Sequence, residues 1–142
     1  MTTEQIKEAR KSLADFRLHL AGLSRRPMVL LVEDSQPDID LTLHGISAFN
    51  VITGVAKTPK EALRELQSRR YDVALVDLRL EEGSGLDVLR LAQNTNIDTI
   101  FIVLTGVEED SPTIKEALDS GAKFIVQKPL TKEHLNLIFG TL

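Results

Sequence analysis

The sequence predicts an α/β protein with a doubly wound, five-stranded parallel sheet and one extra helix at the N-terminus. Two observations support this prediction. Five short apolar runs alternate with segments of helical periodicity, an order typical of parallel sheets covered by helices on both faces. The runs are also almost continuously apolar, as expected of strands buried on both sides. With 142 residues, the chain is long enough for one compact domain.

The five predicted strands are the apolar runs at 28–32, 51–55, 73–76, 100–104 and 124–126. Between the first two, Ile39, Leu43 and Ile46 share one face of a predicted helix. The later helices begin at capping hydroxyls, two of them followed by proline. These predicted starts are Thr58, Ser84, Ser111 and Thr131.

The sequence predicts a separate N-terminal helix at residues 3–23, whose apolar residues recur at heptad spacing. One row contains Ile6, Leu13 and Leu20, and the other contains Ala9, Phe16 and Leu23. Three interpretations stay open: a helix that forms a homodimer, a helix packed on its own domain, or a frayed linker. The polar stretch 24–27 ends in a proline, so we predict an N-terminal helix with linker at 1–26 and the main domain at 27–142.

Composition limits the function classes. The net charge of −4 argues against direct nucleic-acid binding. The absence of cysteine excludes disulfides and thiolate metal sites and fits a cytoplasmic protein. No apolar run approaches the roughly 20 residues of a membrane span, so we expect no membrane insertion. The pairs Arg25-Arg26 and Arg69-Arg70 are interpreted as solvated surface charge.

Polar residues with chemical potential follow four of the predicted strands. Glu33 and Asp34 follow the first, Asp77 ends the third, Thr105 follows the fourth and Lys128 follows the fifth. Ligands of open parallel sheets bind beyond the carboxyl ends of the strands. We therefore expect these side chains to converge at one edge of the sheet.

Three carboxylates in one cleft repel each other unless a cation compensates them. Mg²⁺ prefers oxygen ligands and is typically held by a few carboxylates together with a phosphate, which makes Glu33, Asp34 and Asp77 candidate ligands. Thr105 and Lys128 are suited to phosphoryl oxygens. Asp77 stands alone between apolar neighbours, so it is the candidate nucleophile that would form an acyl phosphate.

From residue 28 to about residue 141, the sequence resembles the receiver domain of bacterial response regulators. The pieces that carry the resemblance are Val-Glu-Asp at 32–34, Val-Asp-Leu-Arg-Leu at 76–80, Gly-Ser-Gly-Leu at 83–86, Leu-Thr-Gly at 104–106, Gly-Ala at 121–122 and Lys-Pro at 128–129. Together they cover most of the predicted strand ends in the family's order. The resemblance implies the flavodoxin-like strand order 2-1-3-4-5.

The resemblance also implies a two-component phosphorelay function. Asp77 would accept a phosphoryl group from a sensor histidine kinase or a histidine phosphotransfer protein. Glu33 and Asp34, with the main-chain carbonyl of Arg79, would position Mg²⁺. Thr105 and Lys128 would bind phosphoryl oxygens, and the bond from Lys128 to its following proline would be cis.

Two positions depart from the family pattern. The family usually has Tyr or Phe three residues before its lysine, where this chain has Ile125. Because Ile125 has no ring, the family's usual output signal is in doubt. Glu81 stands where a proline is common, and this should loosen the loop at 79–83 without changing the chemistry.

Other function classes fit less well. The first alternative is a receiver-like module that dimerises or binds partners with little phosphorylation, which the heptads and Ile125 favour. An enzyme of the haloacid-dehalogenase phosphatase type would carry a second Asp two residues after the nucleophile, where this chain has Arg79. A flavodoxin would have a Ser- and Thr-rich loop after the first strand. We therefore expect a signalling switch, not an enzyme acting on a separate substrate.

Overall fold

The structure, a computed structural model, describes residues 3–106 and 111–140 as eleven elements. The helices are α1 (Thr3–Ala21), α2 (Gln36–Ile46), α3 (Pro59–Ser68), α4 (Gly85–Gln93), α5 (Ser111–Asp119) and α6 (Lys132–Phe139). The strands are β1 (Met28–Val32), β2 (Ile52–Ala56), β3 (Val73–Asp77), β4 (Ile100–Thr105) and β5 (Ala122–Gln127). Among these helices, none combines the length and apolar character that crossing a membrane requires.

The five strands form one parallel sheet in the order β2-β1-β3-β4-β5, which confirms the predicted fold and strand order. β2 begins one residue later than predicted, and β5 is longer than predicted at both ends. β5 lies at the sheet edge, where buried residues alternate with the exposed Lys123 and Gln127. A continuous apolar run therefore marks only the middle of this strand.

Side chains from the two sheet faces form two separate cores. Leu30, Val76 and Val103 point into one core, which α3 and α4 cover. Leu31 and Leu75 point into the other, which α2 and α6 cover. Each sheet face is thus sealed from water, as the doubly buried strands predicted.

The predicted helix starts are confirmed where their side chains are described. The Thr58 hydroxyl accepts a hydrogen bond from the Glu61 N–H, Ser84 caps α4, and Thr131 caps α6. Each cap satisfies a main-chain donor that lacks a partner within its helix. These caps fix where each helix leaves the carboxyl end of the sheet.

Helix α1 packs on its own domain, as one of the three open interpretations expected. Leu20 is only 4% exposed, and Leu13 and Phe16 contact the core between the sheet and α6. The rings of Phe16 and Phe124 lie 6.1 Å apart between centroids. The side chains of Ile6 and Ala9 lie outside the described part of the chain, and dimerisation through α1 stays a prediction.

The linker between α1 and β1 is anchored by Arg25 and Arg26, which are exposed as the interpretation of surface charge expected but also make specific hydrogen bonds. The Arg25 guanidinium donates to both carboxylate oxygens of Asp72 at 2.8 Å, and Asp72 also accepts the Met28 N–H at 2.7 Å. Arg26 donates to the Val51 carbonyl at 2.8 Å. These contacts join residues far apart in sequence and hold the linker against the amino ends of β1, β2 and β3.

Candidate phosphoryl and metal site

Three carboxylates meet at the carboxyl ends of β1 and β3. Ligand oxygens of Glu33, Asp34 and Asp77 all lie within 4.8 Å of one another. Val32 pairs with Val76 in the sheet register, so the residues that follow share one edge. Glu33 is 2% exposed and Asp77 is 6% exposed. Such buried carboxylates require a counter-charge or a proton.

Lys128 supplies part of that counter-charge. Its Nζ donates to Glu33 Oε1 at 2.8 Å and to Asp77 Oδ2 at 2.7 Å. A third carboxylate, Asp38, lies 3.5 Å from the same nitrogen. Asp38 was not predicted from the sequence as part of the site, although an acidic residue in the first turn of the helix after β1 was a signal for it.

Burial and charge crowding perturb the pKa values of this cluster. Burial, together with a hydrogen bond shared with Asp77, raises the pKa of Glu33 to about 7, against the opposing effect of Lys128. Burial alone would lower the pKa of Lys128, but its hydrogen bonds to Asp77 and Glu33 outweigh burial and raise it. Lys128 is therefore a firmly protonated cation, and one ammonium leaves negative charge in excess.

Main-chain groups of the loop after β3 also hold the carboxylates. The Arg79 N–H donates to Asp77 Oδ1 at 3.1 Å, and the Glu81 N–H donates to Asp34 Oδ2. The loop at 79–83 is thus bonded to the acidic cluster. The role of the Arg79 carbonyl as a metal ligand stays a prediction.

Thr105 ends β4 beside the cluster and is 3% exposed. Its carbonyl accepts the Lys128 N–H at 2.7 Å, so the backbones of these two residues are directly joined. The Lys128–Pro129 peptide bond is cis, as predicted. Ile125 lies two residues before the end of β5, half-buried, and packs on the core beside α4.

The residues present fit a divalent cation of the Mg²⁺ type. The candidate side-chain ligands are all carboxylate oxygens, which suit a hard cation. Three carboxylates face a single ammonium, and burial together with the neighbouring Asp77 raises the pKa of Glu33, so a second cation at this point would be stabilised. The structure therefore brings together Glu33, Asp34, Asp77 and Lys128, with Thr105 adjoining them.

Comparisons with known proteins agree with this geometry. The family described as "Response regulator receiver domain" matches residues 29–139. The response regulator protein PilR of Pseudomonas aeruginosa is 30% identical over 112 residues, covering 78% of this chain and 25% of that protein. The photosynthetic apparatus regulatory protein RegA of Cereibacter sphaeroides is 31% identical over 101 residues, covering 71% of this chain and 54% of that protein. This chain thus spans between one quarter and about half the length of these relatives.

Solved structures share the fold over most of the chain. The receiver domain of a LuxO repressor protein from Vibrio parahaemolyticus superposes with a TM-score of 0.73 at 26% identity, covering 79% of this chain and 85% of that one. The receiver domain of an HD domain-containing protein from Pseudomonas fluorescens gives a TM-score of 0.74 at 26% identity, covering 80% and 91%. Both alignments leave about a fifth of this chain unmatched.

Proposed function

Since the chain belongs to the family of response regulator receiver domains, we propose that it is a phosphorylation-dependent switch in which Asp77 is the phosphoacceptor. The receiver is residues 27–142, and residues 1–26 are an N-terminal helix and linker. The observation that carries the proposal is the position of Lys128 Nζ, within 2.8 Å of both Glu33 and Asp77. A cation fixed at that point meets any phosphoryl group attached to Asp77.

The proposed reaction is an in-line transfer. An oxygen of the Asp77 carboxylate attacks the phosphorus of a phosphohistidine; the new O–P bond forms while the N–P bond breaks, and the electron pair returns to the imidazole nitrogen. A bound Mg²⁺, held by Glu33, Asp34, Asp77 and the Arg79 carbonyl, would neutralise charge on the transferring group.

Lys128 and Thr105 have complementary tasks. Lys128 pairs with one phosphoryl oxygen, and the Thr105 hydroxyl donates to another. Both residues lie at strand ends, so neither has to be recruited from a distant loop. Because preorganised donors need little rearrangement as charge develops, they favour transfer.

The switch is electrostatic. Phosphorylation adds about −1.5 to −2 charges and three strong acceptors beside Lys128. Lys128 then exchanges Asp77 Oδ2 for a phosphoryl oxygen, and the Thr105 hydroxyl turns toward another. The hydrogen bond from the Lys128 N–H to the Thr105 carbonyl at 2.7 Å keeps the two segments together. The signal leaves through the segment between β5 and α6, without the ring that most receivers carry at the position of Ile125.

The partner that this chemistry requires is a phosphohistidine donor, either a sensor histidine kinase or a histidine phosphotransfer protein. The protein works as a cytoplasmic signalling module and binds no nucleic acid directly. A homodimer through residues 3–23 would have to use the surface by which Phe16 and Leu20 contact the chain's own core. We therefore favour a docked α1 in the unphosphorylated chain.

Mass measurement after incubation with acetyl phosphate and Mg²⁺ tests the phosphoacceptor. The chain should gain one phosphoryl group, and Asp77→Asn should gain none. The matched control is Asp98→Asn, which alters an exposed aspartate and should be phosphorylated normally. Phosphorylation of Asp77→Asn to the same extent, or no mass gain in the unaltered chain, would reject the proposal.

Oligomeric state tests the position of α1 separately. Light scattering should give a monomer for the chain without phosphate. Beryllofluoride with Mg²⁺, a phosphoryl mimic, reveals whether the charged state releases α1. A dimer already present without the mimic would show that α1 serves constitutive assembly, in agreement with the alternative interaction module.

A further inference from the structure

A cavity with several arginines lies at the amino ends of the strands, opposite the carboxylate cluster. The cavity, of about 490 Å³, is lined by α1, the linker, the two residues before β2 and the end of α6. Three arginines line it, namely Arg17, Arg25 and Arg26. A volume of this size lies within the range of small-molecule sites. The cavity is independent of the carboxylate cluster, which lies beyond the other ends of the strands.

The three arginines differ in whether an acidic side chain compensates their positive charge. Arg25 is neutralised by Asp72, with two hydrogen bonds of 2.8 Å. The salt bridges of the described residues include neither Arg17 nor Arg26, and no acidic side chain is among the described residues that line the cavity. Among the described residues, Arg17 and Arg26 therefore line this space without an acidic partner, although Arg26 donates to the Val51 carbonyl, in a chain whose net charge is −4.

Arg17 carries a more specific signal. Its Nε–H is shielded from solvent and has no hydrogen-bond partner among the described residues. An unsatisfied buried donor costs roughly 1–3 kcal/mol, and more when the group is charged. Arg17 also lines the cavity, so a rotation of its guanidinium would bring this donor to an acceptor bound there. Guanidinium groups bind phosphate and carboxylate with paired, charge-assisted hydrogen bonds.

The remaining walls are apolar. Leu20, Leu23 and Phe139 line the same cavity, so it offers aliphatic and aromatic surface beside the arginines. An inorganic anion would use only the charged part of the cavity. A molecule with an anionic group and an apolar or aromatic body would use both.

We propose that this cavity binds a small organic anion, whose phosphate or carboxylate pairs with Arg17 and Arg26 while its apolar part packs on Leu20, Leu23 and Phe139. Because the ligand would touch both α1 and α6, it would hold α1 on the domain. Binding would then stabilise the docked arrangement by ordinary linkage. The proposal does not depend on phosphorylation of Asp77.

Fluorescence titration of the full chain with anilinonaphthalene sulfonate, an aromatic sulfonate, tests the site. We expect saturable binding that inorganic pyrophosphate displaces. Loss of a charge-assisted hydrogen bond should weaken the dye affinity of Arg17→Gln and of Arg26→Gln roughly tenfold or more. Arg64→Gln removes an exposed arginine from α3, outside the cavity, and should bind as the unaltered chain does.

Circular dichroism would verify that each variant is folded, and Arg26→Gln decides the test if Arg17→Gln fails to fold. Equal dye affinity in the unaltered chain and the cavity variants would place the dye on some other apolar surface and overturn the proposal. Failure of pyrophosphate to compete would overturn it too, because the anionic group would then not be what the site recognises.

Discussion

Gly85, the first residue of α4, lies so close to Asp77 that a β-carbon built on it would come within 2.5 Å of the Asp77 main-chain oxygen. It would also meet the Leu78 Cα at 3.0 Å. The Gly85 N–H donates to the Leu78 carbonyl at 3.0 Å, which holds α4 against the end of β3. The glycine in the Gly-Ser-Gly-Leu segment is therefore a packing requirement of the phosphoacceptor strand.

Gly85→Ala should destabilise the chain and slow phosphorylation. The added methyl group has to push backbone, not a flexible side chain, so we expect a loss of about 1–3 kcal/mol of unfolding free energy. Urea unfolding and the acetyl phosphate reaction measure the two effects. Gly22→Ala is the control, since its β-carbon would make ordinary contacts at 3.5 and 3.6 Å. Equal losses in both variants would contradict this interpretation.

Lys128→Gln should make stability strongly dependent on Mg²⁺. Without the ammonium, Glu33 and Asp77 lose the cation that lies within 2.8 Å of both. Breaking buried ion pairs costs about 3–5 kcal/mol, less here because Lys128 is partly exposed. Thermal unfolding with and without Mg²⁺ should show a lower midpoint and a larger gain from the metal than in the unaltered chain.

Lys123→Gln is the matched control for that experiment, because Lys123 is an exposed lysine of β5, the strand that Lys128 follows. Its unfolding midpoint and its response to Mg²⁺ should follow the unaltered chain. If Lys128→Gln gained no more from Mg²⁺ than the control, the carboxylate cluster would not be where the metal acts.

Tyr71 should titrate well above its ordinary value. Burial, with a 2.9 Å hydrogen bond to Glu65, raises the pKa of Tyr71 to about 12. The contribution of Tyr71 to the free energy of unfolding is fully present below pH 10, where the ring is neutral in both the folded and the unfolded chain. It is lost between pH 10 and 12, because the unfolded state ionises first.

Tyrosinate absorbance measures this directly, since the chain has one tyrosine and no tryptophan. In urea the midpoint should return to the ordinary value near 10. Glu65→Gln should lower the pKa of Tyr71 in the folded chain. The pKa should still lie above the ordinary value, because the ring remains buried. A folded chain that titrated as the unfolded one does would disprove the buried, bonded position of the ring.

The linker anchor predicts acid sensitivity. The hydrogen bonds from Arg25 lower the pKa of Asp72, against the effect of its partial burial. A lowered pKa stabilises the folded state above the ordinary value of 3.8, and that stability is lost as the pH falls through the folded value. Urea unfolding between neutral pH and pH 3 should show this loss in the unaltered chain.

Asp72→Asn should be less stable at neutral pH and should lose less stability on acidification. Asp98→Asn, which changes an exposed aspartate, should keep the acid response of the unaltered chain. Parallel acid curves for all three proteins would exclude Asp72 as a source of the pH dependence.

The strand ends could be predicted from the sequence because a buried parallel strand leaves a clear record. Each apolar run stops where the sheet stops, so the first polar residues, among them Asp34 and Thr105, had to lie at one edge. The resemblance then supplied the strand order, which periodicity alone does not contain. The caps were equally local: Thr58 and Ser84 bond to residues within three positions.

Contacts between distant segments left no such record. Asp38 is half-buried on α2, and only the folded chain brings it near Lys128. Arg25 and Asp72 are separated by 47 positions, so their pairing had no local pattern. The heptad pattern of α1 fits a partner helix and the chain's own core equally well. The contact of Phe16 with Phe124 shows that α1 packs on the core of its own chain.

The linker is anchored at the amino ends of the strands, whereas the phosphoacceptor lies at their carboxyl ends. Strands of five or six residues at roughly 3.3 Å per residue separate the Arg25–Asp72 pair from Asp77 by about 17 Å. A fluorophore or a fused protein attached near Ser24 would therefore sit far from incoming phosphodonors. Such an attachment would report movement of α1 while leaving the chemistry at the opposite end undisturbed.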